Sequence, residues 1–191
     1  MGTLNPVLKV LKFVAENLNE KGILWVLAGS TASYLNGLDV KPRDLDILTD
    51  KENAYKIDGI FTEKFEVLRR MSYGETEIYA SYFGRYRFQS VFVEVIGDLK
   101  IKYGNEEFFV PLKMLLKYSK KIKLNNTLIK VVPLEIQLIY NLMIPGKEER
   151  ARKIALCLNS SKDIDYDALK TFLNFVSKEI RDKIFNLVKI R

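Results

Sequence analysis

The chain of 191 residues contains no histidine. That absence excludes Ser-His-Asp and Cys-His nucleophile activation and every zinc site that needs an imidazole, so any catalysis must rest on carboxylates, lysines or metal ions. There is one cysteine, Cys157, inside the helix-like run IALCL. No disulfide can form within the chain, and Cys157 is expected to be a small buried hydrophobe. No apolar run approaches the roughly 20 residues a membrane helix needs, and the first residues lack the basic stretch and apolar core of a secretory signal. A cytoplasmic protein with no membrane partner is expected. Glutamine occurs only as Gln89 and Gln137, against abundant Lys, Ile and Glu, the bias of a thermophilic source.

What is present is globular: 48% hydrophobic and 29% charged residues, enough for one good-sized core with an appendage. The net charge of +7 is unevenly placed, since residues 1–111 carry 14 basic and 16 acidic groups whereas 112–191 carry 17 and 8. The second portion therefore suggests an anionic partner, nucleotide phosphates or RNA, unless its lysines are simply solvated helix faces.

Asn5-Pro6 starts a helix whose apolar residues recur at helical spacing to about residue 20. The run ILWVLA at 23–28, bounded by Gly22 and Gly29, reads as a strand buried on both faces. TASYLNG is a short helix ended by Gly37, and DLDIL from Asp44 to Leu48 alternates as a strand with one face on a site. Asp50 caps a helix of about 51–61. Residues 66–110, rich in Tyr, Phe, Val and Ile with glycines at 74, 84, 97 and 104, predict an antiparallel meander. Beyond Pro111 come a helix, a hairpin at Asn125-Asn126, a helix from Pro133, and further helices over EERARKIALCL, 166–176 and 178–189. The chain thus divides into a core, 1–111, and a mainly helical region, 112–191.

The stretch WVLAGSTASYLNGLDVKPRDLDILTD, Trp25 to Asp50, carries the chemistry. Residues two apart on a strand project to one face, so Asp44 and Asp46 aim two carboxylates at one spot, which is costly unless a cation lies between them. Mg²⁺, or Mn²⁺, suits hard oxygen ligands and takes one or two carboxylates plus substrate phosphates. Gly29 lets backbone approach a ligand, and the helix start near Ser30 offers N–H groups and a hydroxyl to phosphate.

These residues resemble the nucleotidyltransferase superfamily, whose pattern is Gly-Ser, a variable helix and loop, then Asp-x-Asp on a strand and a third carboxylate on a later strand. The likeness is best over Trp25 to Asp50, looser over 1–111, and nearest to the small minimal and antibiotic-modifying types. It implies an α/β (α+β) fold with a mixed, mainly antiparallel sheet flanked by helices and a helical C-terminal region closing a cleft. It also implies that Asp44 and Asp46 bind metal and that Gly29 and Ser30 hold a nucleoside triphosphate. Glu94, mid-strand in SVFVEVIG, and Asp98 just after it compete for the third carboxylate, where the family more often has aspartate. Glu94 is preferred because a charge inside an apolar run needs a partner.

Arg85 and Arg87 in SYFGRYRF, and Arg43 before the acidic pair, are candidates to contact nucleotide phosphate, with Tyr82 and Tyr86 available for stacking. The lysines at 113, 117, 120, 121 and 123 are either a polyanion groove or a solvated surface. The expected reaction is metal-dependent transfer of a nucleoside monophosphate from an NTP, ATP on cellular abundance alone, to RNA, protein or a small molecule. The alternatives are an inactive nucleotide-binding partner of the toxin-antitoxin type and an RNA-binding protein without chemistry.

Overall fold

A computed structural model describes residues 5–161 and 164–189. Helix α1, Pro6–Glu20, has the predicted bounds: Asn5 accepts from Val7 N at 2.9 Å, proline occupies the first turn, and Leu11, Val14 and Leu18 are fully buried. Strand β1 is only Val26–Ala28, running straight into α2, Gly29–Leu35. The strand predicted over 23–28 is cut short because Leu24 bonds elsewhere. Its N–H donates to Asn53 Oδ1 and its carbonyl accepts from Thr49 Oγ1 at 2.6 Å, leaving its side chain 46% exposed.

After the loop come β2, Leu45–Thr49, and α3, Lys51–Lys64, whose Asn53 N–H donates to the Asp50 cap at 2.8 Å. The meander comprises β3, Glu66–Glu75; β4, Tyr79–Phe88; β5, Val91–Tyr103; and β6, Glu106–Phe109. Of the four glycines predicted to punctuate it, only Gly104 makes a turn; Gly74, Gly84 and Gly97 lie inside strands. At Gly97 the reason is packing, since a Cβ would stand 2.9 Å from Ala54 Cβ and 3.0 Å from the Asp50 carbonyl oxygen. Its absence lets α3 close on β5.

The rest comprises α4, Leu112–Tyr118; the hairpin β7, Lys120–Leu124, and β8, Thr127–Val131; then α5, Leu134–Met143, and α6, Glu148–Ser160. Helices α7, Tyr166–Leu173, and α8, Lys178–Leu187, finish the described chain and stop short of the predicted ends. No described helix is long and apolar enough to cross a membrane.

The sheet runs β3-β4-β5-β2-β1-β8-β7, with β6 beside β5, and only the β1/β8 and β2/β5 pairs are parallel. This is the mixed, mainly antiparallel α/β architecture expected. The sheet continues across Pro111, because β8 pairs with β1 and so residues beyond the helical boundary complete it.

One face of the sheet is covered by α1 and α3 over Leu27, Ile47, Val93, Val95 and Ile129. The other carries the C-terminal helices over Val26, Leu48, Ile101 and Phe108. Each fully buried aliphatic side chain contributes roughly 1.5–3 kcal/mol relative to exposure. Cys157 is half-buried against this second core, less enclosed than predicted.

Strand β5 is bulged, which resets its alternation. Tyr82 pairs with Gly97 but Ala80 with Lys100, which leaves one extra residue in β5, and Asp98 there has φ 48°. Glu94 and Ile96 before the bulge and Leu99 and Ile101 after it consequently line the same side of the sheet.

Candidate active site

Strand register assembles a row of side chains across five strands. Ala28 on β1 lies opposite Asp46 on β2, Asp46 beside Glu94 on β5, Glu94 opposite Arg85 on β4, and Arg85 opposite Arg69 on β3. Residues paired this way share a face of the sheet. Of this row Ala28, Asp46, Glu94 and Arg69 form the floor of an open cleft of about 1150 Å³, lined also by Gly29, Ser30, Arg43 and Asp44, and on the far wall by Lys147, Arg150 and Lys153 from the start of α6.

Gly29 is the corner piece. Its φ is +66°, which glycine adopts without steric cost, and a Cβ there would stand 1.7 Å from Asp46 Oδ2. The missing side chain is therefore the space the carboxylate occupies. Ser30, buried behind it, donates from its hydroxyl to Asp44 Oδ1 at 3.0 Å, and Thr31 Oγ1 donates to the Asp44 carbonyl oxygen at 2.6 Å. The Ser30 hydroxyl, predicted to face a phosphate, here orients an acidic side chain. Helix α2 is in turn tied to the C-terminal helices by Ser33 Oγ donating to Gln137 Oε1 at 2.6 Å, while Gln137 Nε2 donates to the Val132 carbonyl oxygen at 2.8 Å.

The electrostatics of the floor are unbalanced. Burial, then the charges of Asp44 and Glu94, push the Asp46 carboxyl up to about 7, against a weaker pull from Arg150 and Lys147. Glu94 is raised too, first by burial and then by Asp44, although Arg85 opposes this with its Nε 3.3 Å from Glu94 Oε1. Among the described residues no group of three or more His, Cys, Asp or Glu closes around one point. The described residues therefore offer no complete metal cage. They offer a carboxylate pair with a third carboxylate beside it, a donor set suited to a hard divalent ion that takes its other oxygens from water and substrate phosphate.

The remaining predicted residues are scattered. Asp98 turns away from the cleft and accepts from Lys51 N at 3.1 Å at the start of α3, so of the two candidates for third carboxylate only Glu94 lines the site. Neither Arg85 nor Arg87 is among the cleft-lining residues: Arg85 reaches the site only through its pair with Glu94, and Arg87 pairs with Glu66 on β3 at 2.5 Å. Tyr86 is fully buried on the opposite face and its hydroxyl donates to Asp58 at 2.5 Å, which removes it as a stacking surface. Tyr82 packs between Tyr55 and Tyr73 on that face. Arg69, Lys147 and Arg150 escape sequence reasoning. The only signal for the latter two is the positive excess after residue 111.

No protein-family model and no curated protein matches the chain. Solved structures do. That of a putative nucleotidyltransferase from Thermotoga maritima is 30% identical, covers 81% of this chain and 93% of its own, and superposes with a TM-score of 0.63. A putative nucleotidyltransferase from Helicobacter pylori is 18% identical over 94% of this chain and 78% of its own, with a TM-score of 0.42.

Proposed function

Because the chain belongs to the nucleotidyltransferase family, we propose that it transfers a nucleoside monophosphate from a nucleoside triphosphate to an acceptor hydroxyl or phosphate. Mg²⁺ or Mn²⁺ would be held by Asp44 and Asp46. The observation that carries this reading is the uncompensated acidic floor, where desolvation and two neighbouring carboxylates push Asp46 up to about 7. A site that leaves negative charge unbalanced is built for a cation.

In the reaction the acceptor oxygen attacks the α-phosphorus, and the bond from that phosphorus to the bridging oxygen of pyrophosphate breaks. A divalent ion bound there would neutralise triphosphate charge and lower the pKa of the acceptor. Glu94, raised by burial, takes up the acceptor proton, and Arg85 fixes the direction of its carboxylate. Lys147 and Arg150 face the floor from α6 and offset the charge of the departing pyrophosphate. Arg43, at the cleft mouth, is placed to meet the same phosphates. Gly29 keeps the floor free of side chain, and Ser30 holds Asp44 at a fixed angle.

The test is thermal stability of wild type and Asp46→Asn with each of the four NTPs, with and without Mg²⁺. Wild type should gain about 2.7 kcal/mol of stability at a ligand concentration a hundred times Kd, with Mg²⁺ only, and the variant should gain nothing. No shift with any nucleotide would assign the fold to an inactive regulatory partner instead.

A further inference from the structure

Residues 112–134 contain six lysines and no aspartate or glutamate. Four of the six fall on the β7–β8 hairpin. Their placement is set by register: Val131 lies opposite Lys120 and packs in the core under α1, so Lys120 shares that side. Lys121, Lys123 and Lys130 therefore project to the opposite side of the sheet, the side on which Asp46 lies. Lys121 and Lys130 are direct cross-strand partners. Like charges so placed, with Cβ atoms about 5 Å apart, destabilise a sheet.

The two lysines of β5 are matched: Lys100 pairs with Glu107 and Lys102 with Glu75. None of Lys121, Lys123 and Lys130 forms an ion pair or side-chain hydrogen bond among the described residues. Lysines on an edge strand such as β7 commonly serve to block edge-to-edge pairing. That explanation does not reach Lys130, because β8 is flanked by strands on both sides.

We propose that this lysine face docks the phosphodiester backbone of an RNA strand, which, on the catalytic reading above, is the acceptor. The residue types choose nucleic acid over protein. Lysine is depleted at protein interfaces, which are anchored by aromatic and arginine side chains, and this face offers lysines around one exposed leucine, Leu128. Ammonium groups without aromatic neighbours on the face suit phosphates rather than bases, so the docking is independent of sequence.

The experiment is fluorescence anisotropy of a labelled single-stranded oligoribonucleotide, without nucleotide, over a series of KCl concentrations. The triple variant Lys121→Gln, Lys123→Gln, Lys130→Gln should bind about tenfold or more weakly, and its slope of log K against log salt should be shallower by about 2, at roughly 0.7 per lost phosphate contact. Its thermal midpoint should be equal or higher, since a like-charge pair has been removed. Asp46→Asn should bind the RNA as wild type does. No binding by wild type, or the same affinity and slope in the triple variant, would overturn the docking site. RNA that binds through the lysines yet receives no label from any of the four NTPs overturns its role as acceptor. Failure of the catalytic reading would show separately, as loss of the Mg²⁺-dependent thermal shift with nucleotides.

Discussion

Two aspartates in this protein have opposite fates. Asp58 on α3 is the more deeply buried, at 5% exposure, while Asp46 on β2 is half-buried. Burial works to raise Asp58 as well. Yet hydrogen bonds from Arg70, the Tyr86 hydroxyl and Met71 N, together with the charge of Arg70, hold its carboxyl below the usual range. Asp46 is pushed up to about 7 by burial and then by Asp44 and Glu94, and among the described residues no hydrogen-bond donor meets its carboxylate to offset them. Burial raises both carboxyls, so burial by itself does not mark a site; burial with a shortage of donors does. A buried acid with its full set of donors fastens structure, here α3 to β3 and β4.

The contrast is broken most forcefully at Asp58. Asp58→Ala strands the Tyr86 hydroxyl and the Met71 N–H and should cost about 2–4 kcal/mol, measured by urea unfolding. It should leave the Mg²⁺-dependent nucleotide shift in place. Asp46→Asn should do the reverse, abolishing the shift without loss of stability.

The next effect is in pH. A carboxyl raised in the folded state keeps its proton there while the unfolded chain has lost it, so ionisation disfavours folding. Without divalent ions, wild type should lose stability relative to Asp46→Asn, by on the order of 2 kcal/mol, as pH rises from about 4 to about 7, and no further above that. Asp58 has the opposite sign. Its contribution is complete above the unfolded carboxylate pKa near 4 and disappears as pH falls through its lowered folded value. Denaturation curves of wild type and each variant at intervals from pH 3 to 8 separate the two by the sign of the slope.

The smallest effect sharpens the map of the cleft. Arg87 and Glu66 form an exposed pair away from the floor, so Arg87→Ala should change stability by less than about 1 kcal/mol and leave the nucleotide shift unaltered. Arg85→Ala, which releases Glu94, should alter that shift; loss of the shift in Arg87→Ala as well would place Arg87 in the site.

What the sequence disclosed tracks how local each decision was. Strand alternation predicts Asp44 and Asp46 on one side, and both line the cleft although Asp44 stands just before β2, while Asn5-Pro6 alone starts α1. The mixed sheet was legible from the switch between apolar runs and hairpin residues. Arg69 was not, because it reaches the site only through the register of β3 on β4, and Lys147 only through the turn between α5 and α6. Tyr86 was misjudged because its partner, Asp58, lies 28 residues away on another element. Gly97 reads as punctuation in the sequence because its reason, the approach of α3, is tertiary.

The bulge at Gly97-Asp98 makes β5 a strand of two phases. Before it the even-numbered residues, Glu94 among them, face the cleft; after it the odd-numbered Leu99, Ile101 and Tyr103 take that side. The strand is thus more sensitive to its length than to its composition. Losing one residue at the bulge would preserve every side chain that matters and still turn either the carboxylate or its supporting core to the wrong side of the sheet.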